Sequence, residues 1–160
     1  MQVCFIGHRE IEKTEELVSS LKNIVEMLIN KGATTFLFGS KSSFDDLAWE
    51  IVTELKEQFP EIKRIYVRSA FQYIDQFYEE YLRRFYEETY FPKRLEKAGK
   101  ASYVERNYEM IDNAGYCIFY YDENYAPTES RRSGTRIAYE YAKKKGKVII
   151  NLHKGNTPLS

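Results

Sequence analysis

A phosphate site is the chemistry indicated by the segment RRSGTR at positions 131–136, which combines arginines, hydroxyl side chains and a glycine. A helical pattern at 135–145 follows it and ends in lysines. The first N–H groups of a helix have no partners within the helix, and this end is electropositive, so anions bind there. Arginine adds charge-assisted hydrogen bonds to phosphate. We therefore predict a phosphate cradle at Ser133, Gly134 and Thr135. The alternative is a surface loop with an ordinary hydroxyl cap.

The first apolar run of the chain is followed by a second polar segment, formed by Gly7, His8 and Arg9. Glycine allows the backbone to approach a ligand closely, and the other two side chains supply hydrogen-bond donors. A turn with solvated side chains is the ordinary alternative, and the segment alone does not decide between the two.

A third polar segment, FGSKSSFDDLAWE at 38–50, follows the second apolar run. Gly39 permits a sharp turn, and Ser42 or Ser43 is placed to cap the next helix. Asp45 lies in the first turn of that helix, where a carboxylate also interacts favourably with the helix dipole. A capped connection that binds no ligand explains these residues equally well.

The elements that would position these segments alternate along the chain. Apolar runs cover 3–6, 35–38, 62–67, 116–121 and 148–152, and helical patterns cover 13–30, 44–58, 73–90, 105–113 and 135–145. This alternation predicts an α/β fold, a doubly wound and mainly parallel sheet. We expect a single domain over 1–160, and the pattern of 92–103 does not decide between a loop and a short strand. Ligands of such sheets bind beyond the carboxyl ends of the strands, where all three segments would meet.

Aromatic residues make up 16% of the chain, and many lie between positions 71 and 91. Six apolar residues recur there at helical spacing, which predicts a helical face packed in the core: Ile74, Phe77, Tyr78, Tyr81, Leu82 and Phe85. Tyr73, Tyr86 and Tyr90 lie off that stripe. Because tyrosine is enriched at interfaces, a homo-oligomer contact through the aromatic helix Tyr73–Phe91 is the alternative use of this surface.

The composition weighs against several classes of function. Basic and acidic residues both number 24, so the chain has no net charge to attract a nucleic acid. Cys4 and Cys117 lie in apolar runs without the spacing of a metal or redox motif, which indicates buried thiols in a reducing cytosol. No apolar run approaches the roughly 20 residues of a membrane span. We expect a soluble, cytoplasmic protein that binds no membrane and requires no metal ion.

Four segments taken in order resemble the SLOG superfamily of Rossmann-like nucleotide-binding domains: FIGHR, FGSKSSFDDLAWE, VERNYEMID and SGTRIAYEYAKKKGKVIIN. This group holds the Smf/DprA proteins and the LOG phosphoribohydrolases, and the chain is most similar to its YpsA-like branch. The resemblance spans nearly the whole chain. It implies a parallel sheet of five or more strands with helices on both faces, and a nucleotide or nucleotide derivative as ligand, with no other cofactor.

The resemblance also implies, by position, a set of ligand-binding residues: Gly7, His8, Arg9, Gly39, Ser40, Phe44, Asp45, Arg106, Ser133, Gly134 and Thr135. The second segment departs from the Gly-Gly-x-x-Gly-x-Asp pattern of relatives. Ser40 and Ser43 stand at two of its glycine positions.

The LOG hydrolases, which remove the base from a nucleoside monophosphate, carry an arginine that the resemblance places at Arg106 and a glutamate that it places at Ala138. Glu140 lies two positions further, about 200° around a helix, and would point away. Cleavage builds positive charge on the ribose that a carboxylate stabilises. We therefore predict binding of a nucleotide without this hydrolysis. The alternatives are an N-ribosidase with a non-standard acid, from Asp45 or Glu109, and single-stranded DNA binding of the DprA kind, against which the zero net charge weighs.

Overall fold

A computed structural model of the chain describes residues 1–39, 41–125 and 133–153. Ser40, Arg131 and Arg132, which the sequence places at or beside the ligand, lie outside the described residues.

The core of the described chain is a parallel sheet of six strands. The strands are β1 (Gln2–Gly7), β2 (Thr35–Phe38), β3 (Lys63–Val67), β4 (Glu88–Tyr90), β5 (Tyr116–Tyr120) and β6 (Val148–Asn151). Their order across the sheet is β4-β3-β2-β1-β5-β6, and every neighbouring pair is parallel. The predicted doubly wound, Rossmann-like α/β fold is confirmed.

Five α-helices connect the strands of the described chain. They are α1 (Glu15–Asn30), α2 (Ser43–Leu55), α3 (Gln76–Leu82), α4 (Ser102–Asn113) and α5 (Gly134–Lys144). Hydroxyl caps start three of them: the side-chain oxygens of Thr14, Ser42 and Ser133 accept from backbone N–H groups three residues ahead, at 3.0–3.1 Å. Of the two serines that the sequence offered as the cap of α2, Ser42 is the cap.

Helices cover both faces of the sheet, as predicted. Successive residues of β1 point to opposite faces, so Phe5 packs with α1 and α2 while Cys4 and Ile6 pack with α4 and α5. Because both faces are covered, the central strands are continuous apolar runs without polar alternation.

The strand order reverses at β1. From β1 the chain builds outward through β2 and β3 to the edge strand β4, then crosses the sheet to β5 on the other side of β1. Gly7, the last residue of β1, is in register with Tyr120, the last residue of β5. The two strands therefore end side by side at the switch point, where doubly wound sheets bind their ligands.

The predicted aromatic helix over 73–90 is wrong in extent. Helix α3 covers only Gln76–Leu82, and Glu88–Tyr90 forms the edge strand β4. The chain leaves the helical path because Glu87 accepts two hydrogen bonds from the Arg64 guanidinium on β3, at 2.6 and 3.1 Å, which holds the following residues against the sheet.

The predicted core face of that helix is also wrong, since Phe77 and Tyr81 are 84% and 52% exposed and Leu82 alone within α3 is buried. The undecided segment 92–103 contains two 3₁₀ turns, Lys93–Leu95 and Gly99–Ala101, before α4 begins. In the described ranges no helix is long and apolar enough to cross a membrane.

Candidate functional site

His8 follows β1 at the switch point and is 2% exposed. The backbone N–H of Asp122, just past β5, donates to its Nε2 at 2.9 Å. Because Nε2 accepts, the neutral ring carries its proton on Nδ1. That nitrogen is buried and has no hydrogen-bond partner within the described residues. Burial lowers the pKa of His8, opposed by its contacts with Asp122. The site therefore contains a neutral imidazole whose Nδ1 donor is used by none of the described residues.

Aromatic side chains from the end of β5 surround this imidazole. The ring of Tyr125 stacks on His8 with 3.9 Å between centroids and 19° between planes, and the Tyr121 ring lies at 6.0 Å. The second histidine of the chain, His153, lies 3.5 Å from the Asp122 carboxylate, measured from Nε2 to Oδ2. The fold thus brings both histidines of the sequence to Asp122, although 145 positions separate them in the chain.

Asn151, at the end of β6, was not singled out by the sequence analysis, yet it organises the exit of β5. Its side chain accepts from the N–H groups of Tyr121 at 3.0 Å and His153 at 3.1 Å, and donates to the Tyr121 carbonyl at 2.9 Å. Asn151 is 6% exposed. The available signal was a polar residue that ends an otherwise apolar strand.

The predicted phosphate cradle lies at the start of α5. The Ser133 hydroxyl accepts from the Arg136 N–H at 3.0 Å, which makes Ser133 the cap and Gly134 the first helical residue. Ser133 and Thr135 are both 7% exposed, and a Cβ added to Gly134 would meet no heavy atom within 4 Å. The helix start that the sequence predicted is therefore present, with space beside Gly134.

Two glycines of the predicted site make room for the protein's own side chains. A Cβ on Gly7 would lie 2.5 Å from the ring of Phe44, which is itself fully buried. A Cβ on Gly39 would lie 2.5 Å from Cδ of Arg106 and 2.7 Å from Sδ of Met110. In this structure the close approach expected for a ligand at these glycines is made by side chains of the core.

Arg106 lies under the turn that follows β2. It is 4% exposed, donates through Nη1 to the Gly39 carbonyl, and donates through Nε to Asn107 at 3.1 Å. Its guanidinium lies 5.6 Å from the ring centroid of Tyr103. Arg106 therefore positions the Gly39 turn. Arg9, by contrast, is exposed, and its carbonyl accepts from the Ser43 N–H at 2.7 Å.

Asp45 shares the buried region with Arg106. It is 4% exposed, and its Oδ1 has no hydrogen-bond partner among the described residues. Burial raises the pKa of this carboxyl well above its usual range, although the Arg106 charge and the Gly39 backbone act in the opposite direction. A carboxyl group in this environment favours its protonated form, which both donates and accepts hydrogen bonds.

The other carboxylates considered from the sequence lie elsewhere. Glu140 is on the solvent side of α5 and pairs with Arg136 at 3.5 Å, whereas Ala138 packs in the core. Glu109 accepts from the Tyr90 hydroxyl at 3.1 Å and from Asn113 at 3.2 Å. Of the candidate acids, Asp45 alone lies beside Arg106.

The grooves on the described surface include two that do not reach these buried groups. One lies between α3 and β4, and the other lies outside the start of α2, lined by Ile11, Lys13, Ser43, Asp46, Leu47 and Glu50. Neither groove is lined by His8 or Asp45.

One comparison with known proteins found a relationship. A family model described as the YspA SLOG family matches residues 5–154, from the middle of β1 to beyond β6. A comparison with curated proteins found no match. The matched range includes all the candidate site residues named above.

Proposed function

Because the chain belongs to the YspA SLOG family, we propose that it binds a nucleotide or a nucleotide-derived small molecule at the carboxyl edge of its sheet. The family match confirms the SLOG resemblance of the sequence motifs and makes the chain a nucleotide-related, Rossmann-like domain. The identity of the site within that domain rests on the geometry at the switch point.

The observation that carries the proposal is the Nδ1 donor of His8, next to the end of β5, which no described residue accepts. A buried donor without a partner costs about 1–3 kcal/mol, which a ligand acceptor would recover. The electropositive start of α5 follows β5 in the chain, and its Ser133 hydroxyl and first N–H groups suit a phosphate. A ligand with both an anionic and a neutral polar part fits this combination.

Asp45 and Arg106 have separate roles in this proposal. Arg106 holds the Gly39 turn, as its hydrogen bond to the Gly39 carbonyl indicates. Asp45, with a raised pKa and an unpartnered Oδ1, offers a carboxyl that donates to or accepts from a sugar hydroxyl.

The same carboxyl favours a second candidate, an N-ribosidase in which Asp45 is the acid. In that reaction the bond between ribose C1′ and the base nitrogen breaks, the Asp45 proton passes to the base, and water adds to C1′ and gives its proton to the Asp45 carboxylate. Binding without cleavage is preferred because Ala138, buried in the core, stands where the hydrolases carry the glutamate that supports the ribose charge.

Calorimetric titration of nucleoside monophosphates, cyclic nucleotides and ADP-ribose derivatives tests the binding proposal. Gly134→Asp places a negative charge at the start of α5, where the structure has room for it. We expect it to weaken binding about tenfold or more, equivalent to at least about 1.4 kcal/mol. Gln76→Asp, an exposed change at the first position of α3 near the opposite edge of the sheet, is the matched control.

The outcomes separate the candidates. Absence of binding at millimolar ligand, or equal affinity in wild type and Gly134→Asp, would overturn the proposed site. Release of free base from a nucleoside monophosphate, detected by chromatography and abolished in Asp45→Asn, would establish the enzyme instead.

A further inference from the structure

Four aromatic side chains project from the protein around α3. Phe71, Tyr73, Phe77 and Tyr81, here called the aromatic surface, are 69%, 86%, 84% and 52% exposed. The Tyr78 ring links two of them, lying 6.1 Å from the Phe71 ring and 6.3 Å from the Tyr81 ring, and Phe77 lies four residues before Tyr81 on α3. Single exposed apolar residues are ordinary, whereas a connected group of large ones marks an interaction site.

We propose that the aromatic surface is the interface of a two-fold symmetric homodimer. This inference goes beyond ligand binding, because the aromatic surface lies at the β4 edge of the sheet. Strands β3 and β2 separate that edge from the switch point between β1 and β5. With strands about 4.8 Å apart, the two regions are separated by roughly 15 Å, so a second copy docked at β4 leaves the candidate ligand site open.

The loop that carries Phe71 is held in a fixed conformation. Phe71 has φ of 59°, a left-handed conformation that is costly for a bulky residue. Arg68, which is 7% exposed, donates to the carbonyls of Phe71 at 3.2 Å and Gln72 at 3.3 Å, and to the Thr89 hydroxyl at 3.1 Å. A buried guanidinium therefore fixes this loop against the edge strand and preorganises the exposed ring.

The area of the aromatic surface is sufficient for a dimer. At roughly 200 Å² for each aromatic side chain, the four exposed fractions amount to about 600 Å² per chain. Two copies would bury about 1,200 Å², which is the lower bound of stable, specific interfaces. The exposed charged residues around the rings would add to this area.

The charges beside the rings favour a second copy as the partner. Glu80 lies with Phe77 and Tyr81 on the exposed face of α3, Arg84 lies in the turn just after the helix, and both charged residues are exposed. Arg84 has no ion-pair partner within the described residues. A two-fold axis across this face runs the helices antiparallel, so that Glu80 of one protomer faces Arg84 of its partner, twice. Charges of both signs at this surface suit neither a nucleic acid nor an anionic membrane.

Sedimentation equilibrium of the full chain tests the dimer at micromolar to submillimolar concentrations. The wild type is expected to reach twice the 19.0 kDa chain mass. Phe77→Glu is expected to weaken self-association about tenfold or more, because it places a charge at the centre of the interface. Tyr103→Glu changes another exposed aromatic residue, 64% exposed and outside the aromatic surface, and should leave the dimer intact. Circular dichroism of each variant checks the fold.

A charge exchange tests the symmetry. Glu80→Arg alone and Arg84→Glu alone should each weaken the homodimer, because each places like charges opposite one another. An equimolar mixture of the two variants should restore a dimer with one chain of each kind. A monomeric wild type, a dimer that persists in Phe77→Glu, or a mixture that stays monomeric would each overturn the proposal.

Discussion

The backbone N–H of Asp122 donates to Nε2 of His8 at 2.9 Å, across 114 positions of the chain. This hydrogen bond joins the exits of β5 and β1, fixes the imidazole as an acceptor at Nε2, and directs its proton to Nδ1. The neutral form of His8 thus depends on how the ends of β1 and β5 lie together at the switch point.

The first prediction concerns pH and His8. Burial holds the pKa of His8 below its ordinary value, so the folded protein binds fewer protons than the unfolded chain. Its contribution to stability is present above about pH 6.5 and is lost as the pH falls through the lowered pKa. Urea denaturation at a series of pH values should show this loss in the wild type and a smaller loss in His8→Gln.

The control for His8 is His153→Gln, which removes the other histidine and keeps the His8 hydrogen bond in place. This variant should retain the loss of stability that His8 causes. Identical pH profiles for the wild type and His8→Gln would contradict the assignment of a buried, neutral imidazole.

The second prediction concerns Asp45, whose effect on stability changes with pH in the opposite direction to that of His8. Burial raises the pKa of this carboxyl, so the folded protein binds more protons than the unfolded chain. Its contribution to stability is present below about pH 4 and is lost as the pH rises through the raised pKa. The unfolding free energy of Asp45→Asn, relative to wild type, should therefore increase from about pH 4 toward neutrality.

Asp46→Asn is the matched control for Asp45, since it removes one exposed carboxylate at the adjacent position. Its unfolding free energy relative to wild type should change less over the same range. If the unfolding free energies of Asp45→Asn and wild type instead differ by the same amount at every pH, the pKa of the Asp45 carboxyl is not raised in the folded protein.

The third prediction concerns the glycine under Arg106. Gly39→Ala would place a methyl group 2.5 Å from Cδ of Arg106 and 2.7 Å from Sδ of Met110. We expect a loss of about 1–3 kcal/mol in unfolding free energy, the usual cost of overpacking. Gly134→Ala, which meets no atom within 4 Å, should show no loss in the same denaturation experiment. Equal stabilities of the two variants would mean that Arg106 does not pack against this turn.

The fourth prediction concerns Asn151, which satisfies the backbone of Tyr121 in both directions. Asn151→Leu would leave the Tyr121 N–H and carbonyl without these partners. We expect a loss of about 1–3 kcal/mol in unfolding free energy. Asn30→Leu makes the same change at an exposed position, so its loss should be smaller. An Asn151→Leu variant as stable as Asn30→Leu would show that these hydrogen bonds do not hold the exit of β5.

Much of the fold was predictable because strands covered on both faces are continuous apolar runs. The predicted run at 35–38 coincides with β2. The first, third and fourth predicted runs agree with β1, β3 and β5 to within a few residues. Strand β4 was missed because three residues, ETY, carry no pattern of their own. Its place depends on the contact of Glu87 with Arg64, 23 positions away in the chain.

The candidate site was predictable only in part. The cap at Ser133 and the positions of His8 and Asp45 follow from local signals, namely a polar residue beside a glycine or at a helix start. The contributions of Asp122 and Asn151 depend on which strands are neighbours, and the burial of Arg106 under Gly39 depends on the packing of α4 over β2. Spacing along the chain contains none of this information.

The sheet order also determines when the site can assemble during synthesis. The first 90 residues contain β1 to β4 and the helices of one face, whereas α4 and α5, which cover Cys4 and Ile6 on the other face, come later. A nascent chain therefore exposes an apolar sheet face until α4 and α5 have left the ribosome, a stage at which aggregation competes with folding. Because β5 must find β1 across more than 100 residues, pairing at the switch point is expected to be a late and slow step.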